Sequence, residues 1–239
     1  MLSVELHAHS SLSYDGRDDV DLLLEQASAV GLDALAITDH DEIDASLAAV
    51  DRAPEYGLVG IPGMEVSSAA GHVLGLGVTE AIPAGLSFGE TLARIREQGG
   101  VAVVPHPFQK SRSGVMANIS RSELAGADAI EVYNSRLLTG RGNRKAEKFA
   151  DRRGLPKTAG SDAHISEMVG QAVTRIDTGA DAPNGPGSDG PASVDAILDA
   201  IRAGRTTVEG KRTPWRISFR QAAGGAKRRV KSRVADLLE

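Results

Sequence analysis

Six histidines, each where a predicted strand ends and each with an acid nearby, are the residues whose types and spacing could do chemistry. They are His7 and His9 in VELHAHS, His40 in AITDHD, His72 in AAGHVLGLG, His106 in VAVVPHP and His164 in AGSDAH, with Asp15, Glu65 and Asp162 in the same neighbourhoods. Imidazole ligates or titrates near neutral pH. The chain has no cysteine, so any transition ion must be held by imidazole and carboxylate.

His7 and His9 stand two apart, a spacing that projects both rings from one face of a strand. Asp162 and His164 repeat it, and Asp15 returns on a short loop toward the same edge. Glu65 follows Gly63 at a predicted strand end, and His72 lies in a poorly patterned turn. Pro105 and Pro107 bracket His106 and should hold it extended. Asp39 reads as a cap for the following helix, and Ser10 and Ser11 as turn hydrogen-bonders, because no spare histidine could serve them as a base. Nine ligands exceed what one ion can use. Two or three divalent ions (Mn²⁺, Zn²⁺ or Fe²⁺) with a bridging carboxylate are expected. Clustered ions suit in-line displacement at phosphorus, because they ionise water, orient the ester and neutralise its oxygens. Lys110, Arg112 and Arg136, on loops beyond predicted strands, are candidate phosphate clamps, with Arg141 and Arg144 nearby.

Strand-like and helix-like segments alternate around these residues. Residues 4–9, 34–38, 58–61, 72–78, 101–104, 129–133, 158–161, 171–176 and 206–208 read as strands. Helices are predicted over 19–30 with Asp18 or Asp19 as cap, 43–52, from the Ser87/Glu90 capping box to 98, from the Ser120/Glu123 box, 144–153, and from Ser193 to 203. Residues 178–192, rich in Gly, Pro, Asp and Asn, read as a mobile loop. Such βα alternation implies a mostly parallel sheet with helices outside. Functional residues spread over many strand ends favour closure into a TIM-type barrel over an open sheet, because a ring brings those ends together.

Composition sets the rest. Apolar residues make up 41% and charged residues 25%, ordinary for a globular protein, but aromatics are only 3%, so the core must be aliphatic. With no basic start leading into an apolar run, and no apolar stretch near the ~20 residues that span a bilayer, a cytoplasmic enzyme without membrane contact is expected. The net charge of −5 is unevenly spread: residues 205–239 carry ten Lys and Arg against three acids, residues 1–204 seventeen against twenty-nine. A basic extension over 211–239 therefore follows an acidic body over 1–210. A final helix over 227–238 would set Val230, Val234, Leu237 and Leu238 in one stripe, with Lys227, Arg228, Arg229, Lys231 and Arg233 crowding its first turns. It could dock on the acidic body or grip a nucleic-acid backbone. Trp215 and Phe219 read as packing anchors.

In order and spacing, HAHSSLSYDG, LAITDHD, GMEVS, GHVLGLG, VVPHP and GSDAH resemble the motifs of the polymerase and histidinol phosphatase (PHP) superfamily, over residues 4–176. The resemblance implies a distorted (β/α)7 barrel with a metal cluster at its C-terminal mouth. It assigns His7, His9, Glu65 and Asp162 to one ion, a bridging Glu65 with His72 and His106 to a second, and Asp15, His40 and His164 to a third. Only 33 residues separate His72 from His106, so the long capping insertion of some relatives is absent. The implied function is metal-dependent hydrolysis of a phosphoric ester, with Asp15 and Glu65 at its catalytic centre. The substrate would be a small phosphomonoester or nucleotide, including a nucleoside bisphosphate or the 5′ end of a short oligonucleotide. The alternatives are a histidinol-phosphate phosphatase and a non-catalytic, metal-stabilised nucleic-acid-binding module.

Overall fold

The computed structural model describes residues 1–137, 139–179 and 192–214. Ten strands and six α-helices follow one another in it. The strands are β1 (Leu2–Ala8), β2 (Ala34–Ile37), β3 (Val59–Ile61), β4 (Gly63–Ser68), β5 (Gly71–Leu76), β6 (Val101–Val104), β7 (Ala129–Asn134), β8 (Lys157–Gly160), β9 (Ala172–Ile176) and β10 (Thr206–Gly210). The helices are α1 (Val20–Ala29), α2 (Asp44–Arg52), α3 (Phe88–Glu97), α4 (Arg121–Leu124), α5 (Arg141–Arg153) and α6 (Val194–Arg202).

The expected helix starts are present. Asp19 accepts from Leu22 N at the head of α1, Ser193 from Ala196 N at α6, and both capping boxes form at α3 and α4. Helix α5 starts three residues before its predicted position, and Gly140 ahead of it offers no side-chain cap. The predicted final helix, Trp215 and Phe219 lie outside the described residues, as does most of the predicted Gly/Pro-rich loop.

The expected closed barrel is not what the strands make. They form two five-stranded sheets, β10-β9-β1-β2-β3 and β4-β5-β6-β7-β8, and β4, β5, β9 and β10 pair antiparallel. One cause is Pro62, which stands between β3 and β4 with no amide hydrogen to continue a ladder. Another is the β4–β5 hairpin, where the Ser68 hydroxyl accepts from Ala70 N and Gly71 N. Strand β4 has no counterpart among the predicted strands because GMEVSS lacks a long apolar run. Glu65 therefore sits within a strand, and His72 is on β5 opposite Ser67, as the strand predicted over 72–78 expects and not in the poorly patterned turn also read there.

Single bridges stitch the two sheets at both seams, Ala8 to Ala163 and His40 to Glu65. At the first, His9 N donates to Ala163 O at 2.7 Å; at the second, Glu65 N donates to Asp39 O at 3.0 Å. Both seams coincide with ligand candidates, so backbone pairing fixes them across the sheet boundary.

Three apolar clusters hold this arrangement. One buries β1 and β2 residues such as Leu35 and Ile37 under Leu23 and Leu24 of α1 and Ala45 and Ala49 of α2. A second packs Ala102, Val104, Ile130 and Val132 against Leu92 and Ile95 of α3 and Phe149 of α5. In the third, Val4, Ala34, Leu76, Val101 and Ala129 meet Ile197, Leu198 and Ile201 of α6. Most of these strand residues lie at the ends away from the histidines, so α6 covers that end and the ligand end stays free.

Candidate metal centre

All nine candidate ligands converge, with Glu65 at the middle. Its Oε2 lies 3.3 Å from His7 Nε2, 3.2 Å from His9 Nε2 and 3.4 Å from His40 Nδ1. Its Oε1 lies 2.8 Å from His72 Nδ1 and 3.6 Å from His106 Nε2. Asp162 Oδ1 stands 3.7 Å from His9 Nε2 and 3.3 Å from His164 Nδ1, and Asp15 Oδ2 stands 2.6 Å from His164 Nε2 and 3.7 Å from His40 Nε2. Ring centroids of neighbouring histidines are 4.5 Å (His9–His164), 4.7 Å (His9–His40) and 4.6 Å (His40–His72) apart.

The hydrogen-bond pattern fits cations. His9 Nδ1 and Nε2, His40 Nδ1, His72 Nδ1, His106 Nδ1 and Glu65 Oε1 are buried with no hydrogen-bond partner. Unpaired buried polar atoms are costly and rare, and each one calls for an explanation. Imidazole nitrogens crowding one carboxylate without hydrogen-bond alignment have lone pairs free for a shared ion. Four triads bring one ligand atom each within 4.8 Å of one another: His7, His9 and Glu65; His40, Glu65 and His72; His7, His106 and Asp162; and His9, His40 and His164. In these triads His106 falls with Asp162 and His40 with Glu65, a different grouping from the one the resemblance implies.

Charge states divide the ligands: against burial, Glu131 and Glu65 push His7 up and Glu65 and Asp15 push His40 up, so in the metal-free protein both favour protons that an ion would displace. Burial pushes Glu65 and Asp162 up, but His7, His72 and His40 around the first, and Arg136 and Arg112 beside the second, hold both well below the carboxylate range. Burial, aided by the charge of His164, pushes His9 down to about 3, leaving the neutral, ligating form.

Backbone geometry is strained here. His106 has φ 31° and Asp162 φ 52°, a region non-glycine residues rarely adopt. His106 is thus not held extended by its flanking prolines. Its N–H donates to Glu131 Oε2 at 2.9 Å and its carbonyl accepts from Gln109 N at 2.9 Å, so it starts a turn.

Sequence reasoning misses Glu131. This buried carboxylate accepts from His7 Nδ1 at 2.9 Å, His106 N at 2.9 Å and Asn134 Nδ2 at 3.0 Å, linking three strands of the centre. Its signal is an acid amid Ala129, Ile130 and Val132, where a strand buried on both faces would carry an apolar residue. Asp39, expected to be a helix cap, instead accepts from Ser10 N and the Ser10 hydroxyl, and so anchors the turn after His9. Partners that orient ligating histidines matter ~10–100-fold for metal affinity. Glu131→Gln should weaken binding by that order in a metal titration, with the metal-free fold retained; unchanged affinity would remove Glu131 from this role.

Of the candidate clamps, Arg112 Nη1 reaches Asp162 Oδ2 at 3.0 Å and Arg136 Nη1 reaches Asp162 Oδ1 at 2.8 Å. Lys110 is exposed on the turn after His106, and among the described residues no ion pair joins it to the cluster.

Comparison with known proteins points the same way. The PHP domain profile matches residues 5–125 and a PHP-associated profile matches residues 140–206. The uncharacterised Methanocaldococcus jannaschii protein MJ0417 is 33% identical over 179 residues, 73% of this chain and 70% of that protein. In fold, PsfC from Pseudomonas syringae superposes with a TM-score of 0.71 at 21% identity, over 95% of this chain and 98% of its own. A two-domain Bacteroides vulgatus protein, described as containing a predicted PHP-like metal-dependent phosphoesterase, gives 0.67 at 19% identity, over 88% of this chain and 65% of its own. The ligand motifs singled out in the sequence thus lie in regions that a family profile recognises independently, and the chain belongs to the PHP superfamily.

Proposed function

We propose that this protein is a metal-dependent phosphoesterase acting on a phosphomonoester or nucleotide-type substrate. Its centre would consist of two or three divalent ions on His7, His9, Asp15, His40, Glu65, His72, His106, Asp162 and His164. The observation that carries this reading is the set of buried, unpaired imidazole nitrogens crowded on the Glu65 carboxylate. When bound, ions there make water nucleophilic and neutralise the phosphoryl oxygens.

The chain's own groups do the rest. Arg112 and Arg136 flank Asp162 on the loops around the centre and present guanidinium donors to the non-bridging oxygens. Asp15, with its side chain 29% exposed, pairs with His164 at 2.6 Å; against the upward push of burial, His164 and His40 hold its carboxyl well below the usual carboxylate range, so it stays an anionic ligand at the solvent edge. Lys110 contributes charge from the loop. In the same reading the two-sheet body over 1–210 is a distorted TIM-like barrel, and the basic extension assigned to 211–239 begins tied to that body, with Lys211 N donating to Gln171 O and Thr213 N to Ser135 O.

The test is turnover of a generic aryl phosphate by metal-loaded protein. Arg112→Ala and Arg136→Ala should each raise KM or lower kcat by ~10-fold or more, as expected for removing one charge-assisted hydrogen bond, while metal content is kept. Unchanged kinetics would take that arginine out of the substrate site.

A further inference from the structure

Helix α5 carries a charge pattern that the metal centre does not explain. Its sequence RGNRKAEKFADRR has six cations and two acids, in a body whose residues 1–204 are acidic overall. Arg141, Arg144, Lys145, Lys148 and Arg152 recur at three- and four-residue spacing, which sets them on one side of the helix. All five are exposed, while Ala146, Phe149 and Ala150 face the core. Among the described residues no carboxylate pairs with any of the five; Asp151 is taken by Lys157 at 2.6 Å, and Glu147 stands at the stripe's edge.

Two costs accumulate here. Like charges at these spacings repel. Arg141 and Arg144 also sit in the first turn, against the positive end of the helix dipole, with no acid in that turn to offset them. A negatively charged partner relieves both.

The stripe leads toward the centre. At its head a cavity of about 230 Å³ is lined by Asn134, Ser135, Asn143, Arg144, Glu147 and Arg212 among others. Asn134 also donates to Glu131 and Asp162, and Arg136 beyond it reaches Asp162. Donors from Asn134, Asn143, Arg144 and Arg212, set among apolar walls from Val132, Leu137 and Val208 with Glu147 as the one acid, therefore lie between the loop beside Asp162 and about 16 Å of basic helix, long enough for several phosphates of one strand.

We propose that the outer face of α5, with the Arg144–Arg212 cavity, is a docking surface for the phosphate backbone of a single-stranded nucleic acid, whose end is delivered to the metal centre. It rests on the phosphoesterase reading for the strand's destination but not for its binding.

The experiment uses the full chain and a labelled single-stranded oligonucleotide, with fluorescence anisotropy followed across salt concentrations. Wild-type binding should weaken linearly in log salt. K145E/K148E/R152E should raise Kd at least ~10-fold and flatten the salt slope by ~0.7 for each phosphate no longer neutralised. Its aryl-phosphate kcat and metal content should match wild type. The glutamine triple variant should show the same trend, and covers the case in which reversal disturbs folding. No oligonucleotide binding, binding and slope unchanged in both variants, or stronger binding to anionic phospholipid vesicles would each overturn the proposal. Oligonucleotide binding abolished in the variants, with no aryl-phosphate turnover in any protein, would sustain the surface while removing the phosphoesterase reading.

Discussion

Glu65→Ala is expected to abolish hydrolysis, lowering kcat/KM by more than the ~10²–10³-fold typical of losing one oxyanion donor. The reason is position. One carboxylate faces five of the six histidines, within 3.6 Å in every case, and it is 1% exposed. Removing it takes away the negative charge that lets imidazoles and cations share so small a volume, and leaves a cavity that no neighbour can fill with charge. Metal content measured on the purified variant should fall with activity. Glu65→Gln keeps shape and loses charge, so it should fold like wild type and still fail to hold its full metal complement. Wild-type metal content and turnover in both variants would remove Glu65 from the centre.

The second large effect is on stability. Asp162 is the common partner of Arg112, Arg136 and Asn134, and its side chain is 4% exposed. Asp162→Ala leaves two guanidiniums facing each other with no carboxylate between them. Breaking a buried pair this way costs ~3–5 kcal/mol, and the lower end applies because the Arg112 side chain, 27% exposed, can turn to water. Denaturant unfolding of metal-free protein should register this as a lower midpoint.

The effect has a pH signature. Burial opposes ionisation of Asp162, yet Arg136 and Arg112 hold it well below the ordinary 3.8. Its contribution is therefore fully present above that value and is lost as pH falls through the folded-state pKa. The gap between wild type and variant should be constant near neutrality and close in strong acid. An unchanged midpoint at neutral pH would contradict the pairing.

How much of this is legible in the sequence depends on the residue. His7 and His9 announce themselves because a two-residue spacing has one meaning on an extended segment; Asp162 and His164 share the spacing but lie beyond β8, where Asp162 has φ 52°, so they reach the centre from bent backbone rather than from a strand face. The capping boxes at Ser87 and Ser120 are readable because their geometry is local. His72 and Glu65 are recognisable as ligands but not placeable, since a hairpin turned by one serine hydroxyl leaves no strong turn signature. His106 misleads because flanking prolines argue for extension, while its actual conformation is set by Glu131, twenty-five residues away. Glu131 itself is invisible as a partner, because its role comes from side-chain hydrogen bonds that join β7 to His7 on β1, in the other sheet, and to the turn after β6. Ring closure fails as a prediction for a related reason. Alternation of element types does not record where Pro62 interrupts a ladder, or that β5 and β9 run against their neighbours.

The central claim is that imidazoles and acids from distant segments hold divalent ions that make water reactive toward phosphorus. Its most direct measurement is a titration of chelator-stripped protein with Mn²⁺ or Zn²⁺, following bound metal by elemental analysis and aryl-phosphate turnover in the same samples. Bound ions should rise to two or three per chain, and turnover should rise from background along with them. Turnover by fully stripped protein at the loaded rate, or saturation with metal bound elsewhere and unaffected by His9→Ala, would contradict the account.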